Sequence, residues 1–334
     1  GDKAPAIFIT AGSHSTEHAG VAAAVQLIDE LDTEHQVYVI PTRDPVGLNG
    51  FHHALALGLG ERPDFDDFDG LEEILHSAGE VLYEDDDFLL VLIGDYGYAS
   101  AHPAPSDGDE EGHERFRAGL RQKNPQGYGY GRMQQIHREQ PEILAPLLGR
   151  RVYQPAGQLG VEGTNLFDRA YTLIISLEGE ILHINRFHDT PWAPVESRCA
   201  RDLMAAIKPG LTLDLHEHGG DSFWFSARHQ QSEEDQHWEE RMADAMIAAV
   251  AESGAPLAPE DYLPGSFFTR GPRGVFWLNA GQRGEGLNLV DFAARVYGPS
   301  FTIETGMKLS FAERVATSKL VTKKAVEVFG ERYA

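Results

Sequence analysis

A chain of 334 residues is long enough for one large α/β domain or two small ones, and 42% hydrophobic residues with 10% aromatics is ordinary for a soluble protein with a packed core. Against 28 basic residues stand 52 acidic ones, a formal charge of −24 that repels nucleic acid and anionic membrane and excludes a phosphate-backbone partner. That charge reads as a solubilising surface in preference to a field for cationic substrates. No apolar run reaches the roughly 18–20 residues that cross a bilayer, so no membrane partner is expected. The lone cysteine, Cys199, precludes an internal disulfide and favours a reducing, cytoplasmic setting, with a structural rather than a nucleophilic role. The chain opens Gly1-Asp2 without Met, which is compatible with a removed leader.

In chain order, the run from Pro5 to Thr10 predicts a short buried strand, followed by the turn Ala11-Gly12-Ser13. Residues 19–31 then place Val21, Val25, Leu27, Ile28 and Leu31 at helical spacing. Gln36 to Ile40 predicts a second strand, closed by Pro41. Strand, helix, strand is the opening of a parallel α/β sheet. Residues 51–165, with their acidic clusters and Gly/Pro-rich loops, read as an insertion or cap. It contains a strand at Phe88 to Ile93 and some helix, best placed at Arg132 to Leu148. The main sheet is expected to resume with a hairpin, Tyr171 to Ser176 and Glu180 to Ile184. A helix over 194–207, a strand over 211–215, a long helix over 233–253, a strand over 300–303 and a closing helix over 310–329 complete the pattern. The expected fold is therefore α/β, one domain over 1–334 with a single mixed, largely parallel sheet flanked by helices and a large insertion at about 51–165.

Three short motifs fall at predicted strand ends. His14-Ser15-Thr16-Glu17 follows the first strand, His216 follows Leu211 to Leu215, and Glu304 follows Phe301-Thr302-Ile303. In an open parallel sheet the carboxyl ends of the strands border the ligand crevice, so the three could converge. Two imidazoles and one carboxylate form a common donor set for a catalytic zinc that keeps one position open. His14, Glu17 and His216 supply that set, with one zinc per chain. Asp214, two residues before His216, would orient a ligand from behind. Glu304 is then available to take a proton from water. Each motif alone is common by chance, and their combination at strand ends carries the reading. Asn185-Arg186, also at a strand end, has the chemistry to hold a carboxylate, although by itself the pair is an ordinary surface turn.

These residues resemble the zinc carboxypeptidases of the carboxypeptidase A and B type. That family carries His-x-x-Glu, an Asn-Arg pair, a His after a strand and a Glu in a Phe-Thr-x-Glu strand end. Here they are His14/Glu17, Asn185/Arg186, His216 and Glu304. Pro41-Thr42-Arg43-Asp44-Pro45-Val46-Gly47 is similar to the family's Asn-Pro-Asp-Gly turn, with Asp44 in place of Asn and Val46 in place of Asp. The likeness covers about residues 5–50, 180–225 and 288–330. The early first ligand is also similar to the aspartoacylase and succinylglutamate desuccinylase branch. The resemblance implies that Asn185 and Arg186 bind a substrate's terminal carboxylate. It implies too that Glu304 activates water and protonates the leaving amine, and that an upstream arginine stabilises the oxyanion. Arg169 is the choice for that arginine, with Arg132, Arg138 and Arg151 as rivals.

The sequence departs from the family where a mobile tyrosine is expected. Residues 279–286 hold none, Arg283 sits nearest the place as a substrate contact, and Tyr297 is too close to the strand. The family's specificity position falls on Val290, whose apolar side chain argues against a basic leaving residue. His218 is an alternative to His216 as ligand. The expected activity is a metallocarboxypeptidase acting on a peptide, or a deacylase acting on a small N-acyl amino acid, the substrate in each case bearing a free carboxylate. A non-catalytic metal- or peptide-binding relative is the reading from another class.

Overall fold

The computed structural model describes residues 1–101, 108, 110, 125–156, 167–191, 193–230, 232–279 and 287–334. The chain divides into two compact units, one of residues 1–13, 17–43 and 185–334, the other of residues 14–16 and 44–184. No described helix is long and apolar enough to cross a membrane.

The first unit is built on a seven-stranded sheet. Its strands are β1 (Lys3–Ala11), β2 (His35–Ile40), β9 (Leu211–His218), β10 (Trp224–Ala227), β11 (Phe268–Arg270), β12 (Val275–Leu278) and β13 (Ser300–Gly306). Their spatial order is β11-β12-β10-β13-β9-β1-β2. The pairs β13–β9, β9–β1, β1–β2 and β10–β12 run parallel, while β10–β13 and β11–β12 run antiparallel. The sheet is thus mixed and largely parallel, as the strand–helix–strand opening implies.

Alternation along the strands assigns the two faces. Ile7, Ile9, Leu211, Leu213, Leu215, Phe301 and Ile303 pack into one core with buried residues of α1 (His18–Glu30), α7 (Glu233–Ser253) and α9 (Phe311–Arg332). Phe8 points the other way, onto Ala200 and Met204 of α6 (Val195–Ile207) and Leu289 and Ala293 of α8 (Leu289–Val296). Towards the strand ends this second face becomes polar: Thr10, Asp214, His216 and Thr302 all lie on it, and all are buried.

The second unit holds a sheet that the sequence pattern did not anticipate. Its six strands are β3 (Glu80–Glu84), β4 (Phe88–Ile93), β5 (Tyr96–Ala101), β6 (Arg151–Pro155), β7 (Ala170–Ile175) and β8 (Ile181–His183), in that spatial order. Every pair is antiparallel except β5–β6. The 171–184 hairpin forms as expected but closes this sheet rather than the main one. One face is covered by α3 (Phe51–Leu59) and α4 (Phe68–Ala78), the other by α5 (Pro125–Glu139) and a 3₁₀ segment, Pro141–Leu147. The helix expected over 132–148 therefore begins earlier and stops at Glu139, because Pro141 and Pro146 cannot continue an α-helical ladder. The short α2 (Pro45–Leu48) is capped by Asp44, whose carboxylate accepts from the Gly47 amide at 2.9 Å.

Gly20 sets how closely α1 lies on β9. A Cβ at this position would sit 2.8 Å from the Leu215 carbonyl oxygen, a backbone atom that cannot turn aside. Gly20→Ala gains about 1 kcal/mol of helix propensity but forces the helix off the strand at an overpacking cost of about 1–3 kcal/mol. A net fall in thermal midpoint is expected from calorimetry, and a rise would show that the close approach is not required.

Candidate functional site

β13, β9 and β1 are consecutive parallel neighbours, so their carboxyl ends lie along one edge of the sheet. Glu304 is in register with His216, and Thr10 with Asp214. The Glu304 and His216 side chains therefore leave the same face side by side. β1 ends at Ala11, and Gly12, at φ 61°, turns the chain toward Ser13 and His14. A Cβ on Gly12 would meet the Thr42 hydroxyl at 2.8 Å, so the turn is tight as well as left-handed. Glu17 then takes the N-cap position of α1 without making a side-chain capping bond.

The structure brings His14, Glu17 and His216 together. One donor atom from each lies within 4.8 Å of the others, and Glu17 and His216 are buried. The His14 ring is also packed edge-on against His183 with centroids 4.4 Å apart. His216 is held at both nitrogens. Nδ1 lies 2.7 Å from Glu17 Oε2, and Nε2 lies 2.8 Å from Asp214 Oδ2. Asp214, two residues earlier on the same strand face, contacts the ring from its Nε2 side. With the ring protonated, Nε2 donates to Asp214 and Nδ1 to Glu17, and a metal bound at Nδ1 would take the place of that second proton. The donor set, two imidazoles and a carboxylate with one imidazole backed by a second carboxylate, fits zinc.

Burial would raise the Asp214 carboxyl, but the charges of Arg43 and His216 outweigh it and hold it down to about 2. Burial also opposes charge on His216, yet the Asp214 and Glu17 carboxylates override it and push the imidazole well above its ordinary range. A metal ion entering at neutral pH must accordingly displace a proton from this histidine. Burial pushes the Glu304 carboxyl up to about 8; His216 opposes the shift, while Glu17, Asp214 and Glu217 add to it.

Arg43 and His188 went unread in the sequence. The Arg43 side chain is 1% exposed, and its Nη2 donates to Asp214 Oδ2 at 2.8 Å and to Asn185 Oδ1 at 3.2 Å. Its Nη1 lies 3.4 Å from His188 Nε2. The only cue was the position of Arg43 inside the segment compared with the family's turn. Asn185 is buried and belongs to the same network: Oδ1 also accepts from the Leu289 amide at 3.3 Å, and Nδ2 lies 3.1 Å from His216 Nε2. Asn185 Oδ1 is thus held by donors from two elements, with the amide nitrogen beside His216. Arg186 is half-buried, with Nη1 on the Asn185 carbonyl at 2.8 Å.

Arg169 belongs to the second unit, where Nη1 donates to the Asp168 carbonyl at 2.6 Å and burial lowers the guanidinium pKa. Of its rivals, Arg132 is ion-paired with Asp85 and Arg138 is exposed. Arg283 lies outside the described residues. Val290 is fully buried. His218 braces its own loop, with Nε2 2.7 Å from the Ser222 carbonyl and Nδ1 accepting from the Gly220 amide, and is not part of the three-residue metal group.

No protein-family model matches the chain, and no curated protein matches it. Solved structures do. A candidate metallopeptidase from Shewanella denitrificans is similar at 12% identity over 98% of this chain and 75% of that one, with a TM-score of 0.46. A metallo-carboxypeptidase from Pseudomonas aeruginosa, in complex with (2-guanidinoethylmercapto)succinic acid, is similar at 10% identity over 99% and 59%, with a TM-score of 0.43. Carboxypeptidase A from Helicoverpa armigera is similar at 12% identity over 98% and 60%, with a TM-score of 0.41. This chain thus spans about three fifths of the latter two.

The network makes a pH prediction. Burial, and then the charge of Arg43, hold His188 down to about 3 from its ordinary 6.5. Between those values the unfolded chain binds a proton that the folded chain does not, so stability falls as pH drops through the window. His188→Gln keeps an acceptor for Arg43 but cannot titrate. Its thermal midpoint should decline less steeply than the wild type's between pH 6.5 and pH 4, and parallel curves would remove His188 from the acid response.

Proposed function

We propose that the chain is a zinc-dependent hydrolase that releases the C-terminal amino acid from a peptide or peptide-like substrate. The observation that carries the reading is the His14–Glu17–His216 donor group with Glu304 beside His216 on the same sheet face. Zinc bound there supplies positive charge that polarises a scissile carbonyl and acidifies water. Glu304 takes the proton of the attacking water and returns it to the departing amine. Arg169 is the proposed oxyanion partner, and Asn185, Arg186 and Arg283 the proposed contacts of the substrate carboxylate. The order of the motifs and their likeness to zinc carboxypeptidases support the same reading.

A second reading, an aspartoacylase-like deacylase acting on a small N-acyl amino acid, is favoured by one feature. The position of the first ligand pair, His14 and Glu17, early in the chain is similar to that branch.

Metal analysis of the purified chain should return one zinc per chain, and chelation should abolish turnover. Glu304→Gln should keep the zinc and lose about 10²–10⁴-fold in kcat. A zinc-loaded Glu304→Gln protein with full activity would sink the proposal. A substrate panel then separates the readings. Preferential release of the last residue from tripeptides identifies the carboxypeptidase, and preference for N-acyl amino acids the deacylase. Zinc binding without turnover on either points to a non-catalytic relative. Amidation of the substrate carboxylate should abolish cleavage in both enzymatic cases, because Arg186 and Arg283 then lose their anion.

A further inference from the structure

β9 carries charge to both faces of its sheet. His216 faces the candidate metal group, and the next residue, Glu217, faces the opposite layer, between α1 and α9. There Glu217 Oε2 accepts from the Ala19 amide at 2.9 Å, and Oε1 accepts from Arg314 Nη1 at 2.7 Å. Both members of the Glu217–Arg314 ion pair have side chains 0% exposed.

Ala19 lies in the first turn of α1, whose amides have no partner within the helix. The residue placed to cap that turn is Glu17, but it makes no side-chain capping bond, and its Oε2 lies 2.7 Å from His216 Nδ1 instead. Capping is supplied by Glu217, from a different element. The contacts close a ring: Glu217 to Ala19, two residues along the backbone to Glu17, Glu17 to His216, and one peptide bond back to Glu217. Carboxylates near a helix N-terminus also meet its positive end, which strengthens the Ala19 contact.

We propose that Glu217 is a positioning residue of the metal centre, pinning the first turn of α1 to β9 so that Glu17 and His216 are held at ligand spacing. Arg314 orients the Glu217 carboxylate and balances its charge. A buried ion pair is seldom the most stable filling of an interior, and replacement by apolar residues is often neutral or better. An apolar filling here would leave the Ala19 amide without its acceptor and the Glu17 turn untethered. The inference rests on the zinc reading above.

The test is zinc affinity of the full-length chain, measured by competition with a chromophoric chelator well below the thermal midpoint of each protein. Glu217→Ala should weaken zinc binding about 10–100-fold, whereas Glu217→Gln, which keeps an oxygen for the Ala19 amide, should stay within about threefold of wild type. Glu217→Gln should nevertheless melt earlier, because Arg314 loses its anion. If Glu217→Ala fails to fold, the double variant Glu217→Ala/Arg314→Met removes the stranded cation and gives the same readout. Lower thermal midpoints with unchanged zinc affinity in the alanine variant would show a merely structural pair and overturn the inference. So would equal losses in the alanine and glutamine variants, which would break the route through Ala19. A wild-type chain that binds no zinc overturns the metal reading and this inference with it. Zinc binding in wild type and an unaffected alanine variant overturn the inference alone.

Discussion

The His216 imidazole, held between two carboxylates, is the interaction on which the candidate site depends. Asp214 on one nitrogen and Glu17 on the other leave the ring almost no freedom to rotate. They also make the position strongly attractive to positive charge, whether a proton or a metal ion. That attraction is costly inside a protein, because burying several carboxylates together repels each from the others. Arg43 offsets it on one side of β9 and Arg314 on the other. Each arginine replaces the solvation that its carboxylate loses, so the polar site sits inside an apolar sheet without unbalanced charge.

The geometry follows from strand alternation. In Leu211-Thr212-Leu213-Asp214-Leu215-His216, every second residue is a leucine that packs into the α1, α7 and α9 layer. The intervening residues turn from Thr to Asp to His toward the strand's end. The neighbours repeat this with Thr10 on β1 and with Thr302 and Glu304 on β13. One face thus supplies the cohesion, and the other places the polar residues of the candidate site at its carboxyl edge.

That pattern explains what was legible in the sequence. The strand of alternating leucines, the apolar run of β1 and the Phe301-Thr302-Ile303 strand end are local signals, and each marks where a polar residue leaves the sheet. His14, Glu17, His216 and Glu304 could be named because their positions are fixed by their own strands. Arg43, His188 and the Glu217–Arg314 pair could not, because their roles lie in partners far away along the chain. Asn185 shows the same limit. Its place in an Asn-Arg pair suggested a carboxylate contact, but nothing local announces Arg43 and the Leu289 amide as partners of its Oδ1. The second sheet was hidden for another reason. Tyr96–Ala101 is rich in glycine and alanine, and Arg151–Pro155 is short and ends in proline, so neither carries the alternation that announces a strand.

The position of β13 has a consequence for how the chain is made. It follows every other described strand in the sequence, yet it lies between β9 and β10 in the sheet. A ribosome therefore completes the two flanking strands long before the strand that joins them, and each waits with an open edge. Edges of this kind invite pairing with other chains, and sheets closed by distant segments fold slowly. Glu304, the proposed base, arrives on the same strand that seals the sheet. Assembly of the candidate site and protection of the nascent sheet thus become one late event, and a chain interrupted before β13 has neither.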